Sequence, residues 1–363
     1  MSEKSTENLV SVSDLTIVYR SEAGDLKALD HISLGIGEKQ LIAIVGESGC
    51  GKSTLALSII GLLTRPPAIV QSGSIDYRNV NLLAIAPKKM RQYRGTEIAM
   101  IFQEPLTSLN PVFPVGEQIA EAIMIRDLRK SKSGFDPTTQ SDFMQKTYKV
   151  STPKVSRLPQ VRRRKLSGEM KDEVIGYLRL VRIADPEQVL ERYPFELSGG
   201  MRQRIMIAMA LSQKPALLVA DEPTTALDVT TQAQVLKLMR ELMTEVSTSI
   251  LLITHDLAVA SQVADRVIVM YAGDVVEDAN VYDLFANPLH PYTKGLLSCI
   301  PTGAKDETVI KPIPGNVPNL RNLPEACKFA SRCPFVMEVC KHKSPKLVEV
   351  QPDHKVECFL YAQ

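Results

Sequence analysis

The chain has 363 residues, 44% of them hydrophobic and 23% charged, with 43 basic against 41 acidic side chains. This is globular composition with enough chain for two or more units, and it excludes a disordered or fibrous protein. A net charge of +2 supplies no global attraction for nucleic acid. No apolar run reaches the ~18 residues of a membrane span, and the start, Met1-Ser2-Glu3-Lys4-Ser5, lacks an apolar signal segment. The sequence therefore reads as a soluble protein kept in the cytoplasm.

In chain order, alternation through Val10, Val12, Leu15, Ile17 and Tyr19 predicts a strand over 9–19, and the apolar run Leu41–Val45 predicts a buried one. Helices are expected over 52–63, 114–129, 169–181, 205–211 and 233–245, and further strands over 217–220 and 250–254. Strands alternating with helices imply an α/β fold with a mostly parallel sheet.

Two segments break the rhythm. Residues 130–165 are polar, and from Phe143 to Lys165 there are eight bases and no acid. That insertion reads as a solvated segment or as a contact for anionic lipid headgroups or an acidic partner. Beyond Pro301, the prolines Pro312, Pro314, Pro318 and Pro324 interrupt any helix and lead into a small terminal module. Of six cysteines, Cys327, Cys333, Cys340 and Cys358 crowd into that module, a pattern that in a cytosolic chain favours metal or cluster binding over disulfides.

Gly46-Glu47-Ser48-Gly49-Cys50-Gly51-Lys52-Ser53, followed by Thr54, fits G-x-x-x-x-G-K-[ST] between a strand and a helix. Its glycines let backbone N–H groups converge on phosphate oxygens at a helix N-terminus. Lys52 is expected on the β- and γ-phosphates and Ser53 on Mg²⁺. Cys50 occupies a free position of the pattern and reads as a small residue in a tight space. Leu217-Leu218-Val219-Ala220-Asp221-Glu222 provides a second magnesium anchor, Asp221, and places Glu222 to polarise an attacking water.

Leu197-Ser198-Gly199-Gly200-Met201-Arg202-Gln203-Arg204 resembles the ABC-transporter signature. With the phosphate loop and the Asp-Glu pair, it makes the chain similar to an ATP-binding subunit of an ABC transporter. The resemblance implies a P-loop NTPase core with an antiparallel β subdomain and an α-helical subdomain, plus a small irregular C-terminal cysteine-bearing domain. It places the nucleotide-binding domain at 1–285, its helical subdomain at about 104–196 with the basic insertion at 130–165, and the C-terminal domain at 286–363. Gln103 resembles the Q-loop residue, a magnesium and γ-phosphate sensor; Ala226-Leu227-Asp228 resembles the D-loop, and His255 the switch histidine. Tyr19 stands where the family stacks an aromatic ring on adenine. Ser198, Gly199 and Gly200 would close over ATP held by a second subunit; the catalytic residues would be Glu222 as general base, His255, which hydrogen-bonds the γ-phosphate and helps orient water, and Gln103. A second signature-like stretch, Leu166-Ser167-Gly168-Glu169, has an acid in place of the second glycine and reads as an N-cap instead.

Glu104-Pro105-Leu106-Thr107-Ser108-Leu109-Asn110-Pro111, the 220–229 stretch and Asn287-Pro288-Leu289-His290-Pro291-Tyr292-Thr293 resemble the dipeptide/oligopeptide importer branch. That branch implies a peripheral ATPase on the cytoplasmic membrane face that powers uptake of di- or oligopeptides; oligosaccharide or nickel import is the alternative. A non-transport soluble ABC ATPase is a remote one, since one cassette and no heptad run are present. Implied partners are a second ATPase subunit that is a distinct chain, two permease subunits and an extracytoplasmic binding protein, with no nucleic acid. For the terminal quartet Cys327-x5-Cys333-x6-Cys340-x17-Cys358 the branch implies a [4Fe–4S] cluster; structural Zn²⁺ and unligated thiols are the other readings.

Overall fold

The computed structural model describes residues 8–22, 24–103, 108–131, 166–225, 227–300, 312–321, 323 and 325–362, so the readings placed on the basic stretch 143–165 and on Ala226 fall outside it. Its strands are β1 (Val10–Tyr19), β2 (Leu26–Ile36), β3 (Leu41–Val45), β4 (Ala68–Tyr77), β5 (Val80–Asn81), β6 (Ile98–Ile101), β7 (Leu217–Asp221), β8 (Ser249–Thr254), β9 (Arg266–Tyr271), β10 (Asp274–Asn280), β11 (Leu347–Gln351) and β12 (His354–Glu357). Among the described residues they form a four-stranded antiparallel sheet, β2-β1-β4-β5, and an eight-stranded sheet, β11-β12-β10-β9-β3-β8-β7-β6.

The centre of the large sheet is parallel: β3 pairs with β8 and β9, and β7 pairs with β8 and β6. Both faces of β3 are covered, which is why it is continuously apolar rather than alternating. Leu41, Ala43 and Val45 join one core with the helices Val115–Ser131, Gly168–Leu180, Gly199–Ser212 and Val229–Val246. Ile42 and Ile44 face the other core with the antiparallel sheet and the helix Lys52–Ile59. One five-residue strand thus ties the two layers together.

Each expected helix is present with shifted ends, and Pro87–Tyr93, Pro186–Val189, Leu257–Val263, Val281–Ala286 and Pro291–Ser298 are helices that were not expected. Gly199–Ser212 starts at the signature, well before Ile205, because Ser198 caps it: its Oγ accepts from Met201 N at 3.3 Å. Ser167 does the same for Gly168–Leu180, accepting from Met170 N at 3.4 Å, as the N-cap reading of 166–169 expected. Part of the tail, expected to be irregular, is regular: the β11–β12 hairpin extends the large sheet through Glu277↔Val356 on β10. Strands β2, β4, β5, β6, β9 and β10 have no counterpart among the expected strands; β2 and β10 pair with their chain neighbours β1 and β9, whereas β4 and β6 find β1 and β7 across longer separations.

The Arg126 guanidinium fastens the helical layer. It donates to Glu173 at 2.9 Å, to the Tyr177 hydroxyl at 3.3 Å and to the Ser212 carbonyl at 2.9 Å, linking three helices from a buried position. Replacing it with methionine should lower unfolding free energy by about 2 kcal/mol, the scale of lost hydrogen bonds to a buried charge. Urea denaturation of Arg126→Met measures this, and an unchanged midpoint contradicts it.

Candidate functional site

Parallel register brings the site together. Val45 lies beside Thr254 and Val269, and Asp221 beside Ile253, so the residues that follow β3, β7, β8 and β9 emerge at one sheet edge. The loop after β3 is Gly46–Gly51. A Cβ at Gly46 would meet the Met270 carbonyl oxygen at 2.2 Å and Cys50 Sγ at 2.7 Å, and Gly51, at φ +105°, presses against the Ala28 carbonyl. These glycines are required by backbone contact. Gly49 is also left-handed, at φ +81°, and Ser48 completes the loop. Lys52, buried at its end, turns its Nζ back to the carbonyls of Gly46 (2.7 Å) and Glu47 (2.9 Å). Cys50 is buried and its thiol is pushed up by that burial, so it acts as filler rather than as a nucleophile. Tyr19 reaches the same helix tip, its hydroxyl 3.4 Å from Thr54 Oγ1.

Asp221 ends β7 against this loop. Burial raises its carboxyl pKa against the lowering effect of a hydrogen bond from Ser53, and Glu222 beside it raises it further. Its Oδ1 is buried without a hydrogen-bond partner. A carboxylate oxygen held out of water beside a serine hydroxyl and the Lys52 ammonium suits a hard cation that also touches phosphate. The donors therefore fit Mg²⁺ with a nucleoside triphosphate. A cleft of ≈ 930 Å³, with Ser53, Gln103 and Asp221 in its wall, opens toward the helical layer at Met206 and Gln213.

Glu222 collects the remaining expected residues. Its Oε2 accepts from Gln103 Nε2 at 3.0 Å and from Thr225 Oγ1 at 2.9 Å, and its Oε1 lies 3.2 Å from His255 Nδ1. Its backbone sits at φ +46°, an uncommon conformation for a residue with a side chain, which turns the carboxylate out of the strand line. Gln103, Glu222 and His255 thus meet as one cluster. Thr225 was missed, since a threonine three residues after an acid carries no signal.

The signature stands apart from this cluster. Ser198, Gly199 and Gly200 form the N-terminus of Gly199–Ser212, with Gly199 facing Leu227 and Gly200 packed against Thr231 of the helix Val229–Val246. Asp228 caps that second helix through Thr231 N at 3.0 Å.

The tail's four thiols cluster. Burial pushes Cys327 up to about 12, with Cys340, Cys358 and Cys333 all close enough to add to the shift. The Cys327 amide donates to the Cys340 carbonyl at 3.0 Å. Among the described residues no group of three or more His, Cys, Asp or Glu side chains is arranged to hold a metal ion, so no metal-binding arrangement there supports either the iron–sulfur or the zinc expectation for this quartet.

His290-Pro291-Tyr292 opens the helix Pro291–Ser298. His290 Nδ1 accepts from Tyr292 N at 3.0 Å, and burial holds the imidazole neutral with a pKa of about 4. The Tyr292 hydroxyl in turn accepts from Glu47 N at 3.0 Å. These contacts to the phosphate loop escaped sequence reasoning, because a residue at a free position of a motif shows no partner 245 positions away.

A family model described as ABC transporter matches residues 29–225. The chain belongs to this family of ATP-binding cassettes. Its later residues, 276–340, match the model described as oligopeptide/dipeptide transporter, C-terminal region. Among curated relatives, the probable peptide ABC transporter ATP-binding protein y4tR of Sinorhizobium fredii is 45% identical, with 97% of this chain and 94% of the relative covered. The oligopeptide transport ATP-binding protein AppD of Bacillus subtilis is 42% identical over 98% of this chain and 97% of its own. Among solved structures, the bacterial ABC transporter cassette MJ0796 superposes with TM-score 0.57 at 23% identity, over 75% of this chain and 98% of that one, a likeness of fold. CbiO1 of Clostridium perfringens gives TM-score 0.57 at 25% identity, covering 77% and 91%. No helix among the described residues is long and apolar enough to cross a membrane.

A Cβ at Gly200 would lie 2.6 Å from Thr231 Cγ2. Gly200→Ala should therefore destabilise the chain by about 1–3 kcal/mol through overpacking. Adding Thr231→Ser, which removes that methyl, should recover most of the loss. Thermal unfolding of the single and double variants decides it; an equal loss in both contradicts the contact.

Proposed function

We propose that this chain is the ATP-hydrolysing subunit of a membrane importer for di- or oligopeptides. The observation that carries the substrate class is the match of residues 276–340 to the oligopeptide/dipeptide transporter C-terminal region. The printed functions of y4tR and AppD, peptide and oligopeptide transport, support the same class. Its implied companions are two permease subunits, an extracytoplasmic binding protein and a second ATPase, which we take to be a distinct chain. The chain would sit peripherally on the cytoplasmic membrane face. Residues 1–285 serve as the nucleotide-binding unit and 286–363 as the branch-specific tail.

The residues divide the work by chemistry. Backbone N–H groups of Gly46, Ser48, Gly49, Cys50 and Gly51 cradle phosphate oxygens, and Lys52 supplies a charge to the β- and γ-phosphates. Tyr19 stacks on adenine. Ser53, Asp221 and Gln103 would hold Mg²⁺, which neutralises charge on the phosphates when bound. Glu222 takes a proton from water as general base. His255, hydrogen-bonded to it at 3.2 Å, orients that water and donates to the γ-phosphate. Ser198, Gly199 and Gly200 present a helix N-terminus to ATP held by the companion ATPase. Closure of the pair moves the helical layer against the permeases.

For Cys327, Cys333, Cys340 and Cys358 the proposal is a [4Fe–4S] cluster that fastens the tail. What supports the reading is the nearness of the four thiols, with Cys340, Cys358 and Cys333 each adding to the shift of Cys327, since four thiolates suffice to hold such a cluster. Anaerobically purified chain should be brown, with a broad band near ~400 nm and about four irons per chain. Colourless protein without iron defeats the cluster.

Lys52→Ala should weaken Mg-ATP binding by about tenfold or more, through loss of a charge-assisted contact. Glu222→Gln should keep the affinity and slow phosphate release at least ~100-fold. Both are measured on the subunit assembled with its permeases. Wild-type turnover in Glu222→Gln removes it as the base. Stimulation of that turnover by a nickel- or oligosaccharide-loaded binding protein, and not by a peptide-loaded one, would overturn the substrate class.

A further inference from the structure

Glu47 is held from three directions. Its N–H donates to the Tyr292 hydroxyl at 3.0 Å, its carbonyl accepts from Lys52 Nζ at 2.9 Å, and its carboxylate meets Arg332. The last contact is two-pronged: Arg332 Nη1 to Oε2 at 2.9 Å and Nη2 to Oε1 at 3.1 Å. Arg332 belongs to the tail and immediately precedes Cys333. It is 8% exposed, and Glu47 is partly buried as well.

The guanidinium is itself fixed. Arg332 Nε donates to the Pro314 carbonyl at 3.0 Å, Nη2 reaches the Ile313 carbonyl at 3.4 Å, and Nη1 reaches the Tyr271 hydroxyl at 3.4 Å. The guanidinium lies over the Tyr271 ring, 5.8 Å from its centroid, and Tyr271 packs tilted or edge-on against Tyr292 and Phe329 with ring centroids 4.7 and 5.2 Å away. A bidentate pair of this kind specifies direction as well as distance. The pair therefore sets where the Glu47 side chain points, and with it the plane of the peptide whose carbonyl faces Lys52.

We propose that Arg332 is a positioning residue for ATP binding: through its forked ion pair with Glu47, the cysteine-bearing tail holds the phosphate loop in its triphosphate-gripping form. The inference rests on the reading of Gly46–Thr54 as the nucleotide site. Without the pair the loop populates other forms, and apparent affinity falls by the fraction lost. The Arg332 guanidinium is engaged by Glu47, the Tyr271 hydroxyl and two carbonyls, so its part is to position the loop rather than to act in the cleavage step. A second ion pair of the tail, Lys328 with Asp30 at 3.0 Å and with Asp274 at 2.6 Å, joins the tail to β2 and β10 without touching the loop.

The full-length chain is titrated with ATP by calorimetry, and its thermal midpoint is recorded alongside. Arg332→Met should weaken ATP binding about tenfold, within the range of ordinary site-to-site coupling, and Arg332→Lys should recover part of it. In the assembled transporter the loss should appear in KM, with kcat within about twofold. Lys328→Met should lower the midpoint yet leave ATP affinity within about twofold. In a Glu47→Gln background, Arg332→Met should cost nothing further; this cycle also serves if the single Arg332 variant folds poorly. Undiminished affinity in folded Arg332→Met overturns the proposal, as does an equal loss in Lys328→Met or full additivity with Glu47→Gln. Failure of Lys52→Ala to weaken ATP binding would instead sink the reading of the nucleotide site.

Discussion

The Met270 carbonyl lies so near Gly46 that not even a methyl group fits between them. That close approach between the end of β3 and its neighbour β9 is the constraint on which the site depends. It forces the chain leaving β3 into a tight loop rather than a continued strand, and the loop delivers Lys52 and Ser53 to the start of a helix. Any residue larger than glycine would push the loop from the sheet edge and from Asp221. The parallel pairing of β3, β8 and β7 then supplies the other chemistry at that edge without further chain.

Around this edge the charges are arranged to be completed by a ligand. Lys52 is satisfied by carbonyls of its own loop, while Asp221 keeps one buried oxygen unpartnered. Glu222 is held by an amide, a hydroxyl and an imidazole, three groups that fix its direction while leaving it next to solvent. Burying a carboxylate oxygen without a partner is costly, and a cation beside Ser53 removes that cost. Strain in the Glu222 backbone lies at the same place, which is where strained geometry is expected to be functional.

The tail is part of the same structure rather than an appendage. It adds a hairpin to the large sheet, sends Phe329 into the main core and places Arg332 on the phosphate loop. Buried Glu277 binds it at two levels, accepting from the amides of Leu289 and His290 and lying 2.8 Å from His354 Nε2. The His290-Pro291-Tyr292 stretch, which in sequence only marked a branch, is a helix cap followed by a hydroxyl that holds the Glu47 amide.

By itself the sequence determined whatever is local. Glycine spacing, an apolar run ending in two acids and a serine-glycine pair before a helix specify loop, strand end and cap, since each acts on backbone a few residues away. The phosphate loop, Asp221, Glu222, His255 and the Ser167 cap were legible for that reason. Tertiary structure alone decided which distant groups meet: Arg332 on Glu47 across 285 positions, Gln103 on Glu222 across 119, and Thr231 under Gly200. Ion pairs and close contacts depend on distance in space, and a sequence without its sheet pairing holds no record of that distance. The short edge strand β6 was illegible for the same cause, since its partner, β7, is separated from it in sequence by the helical layer.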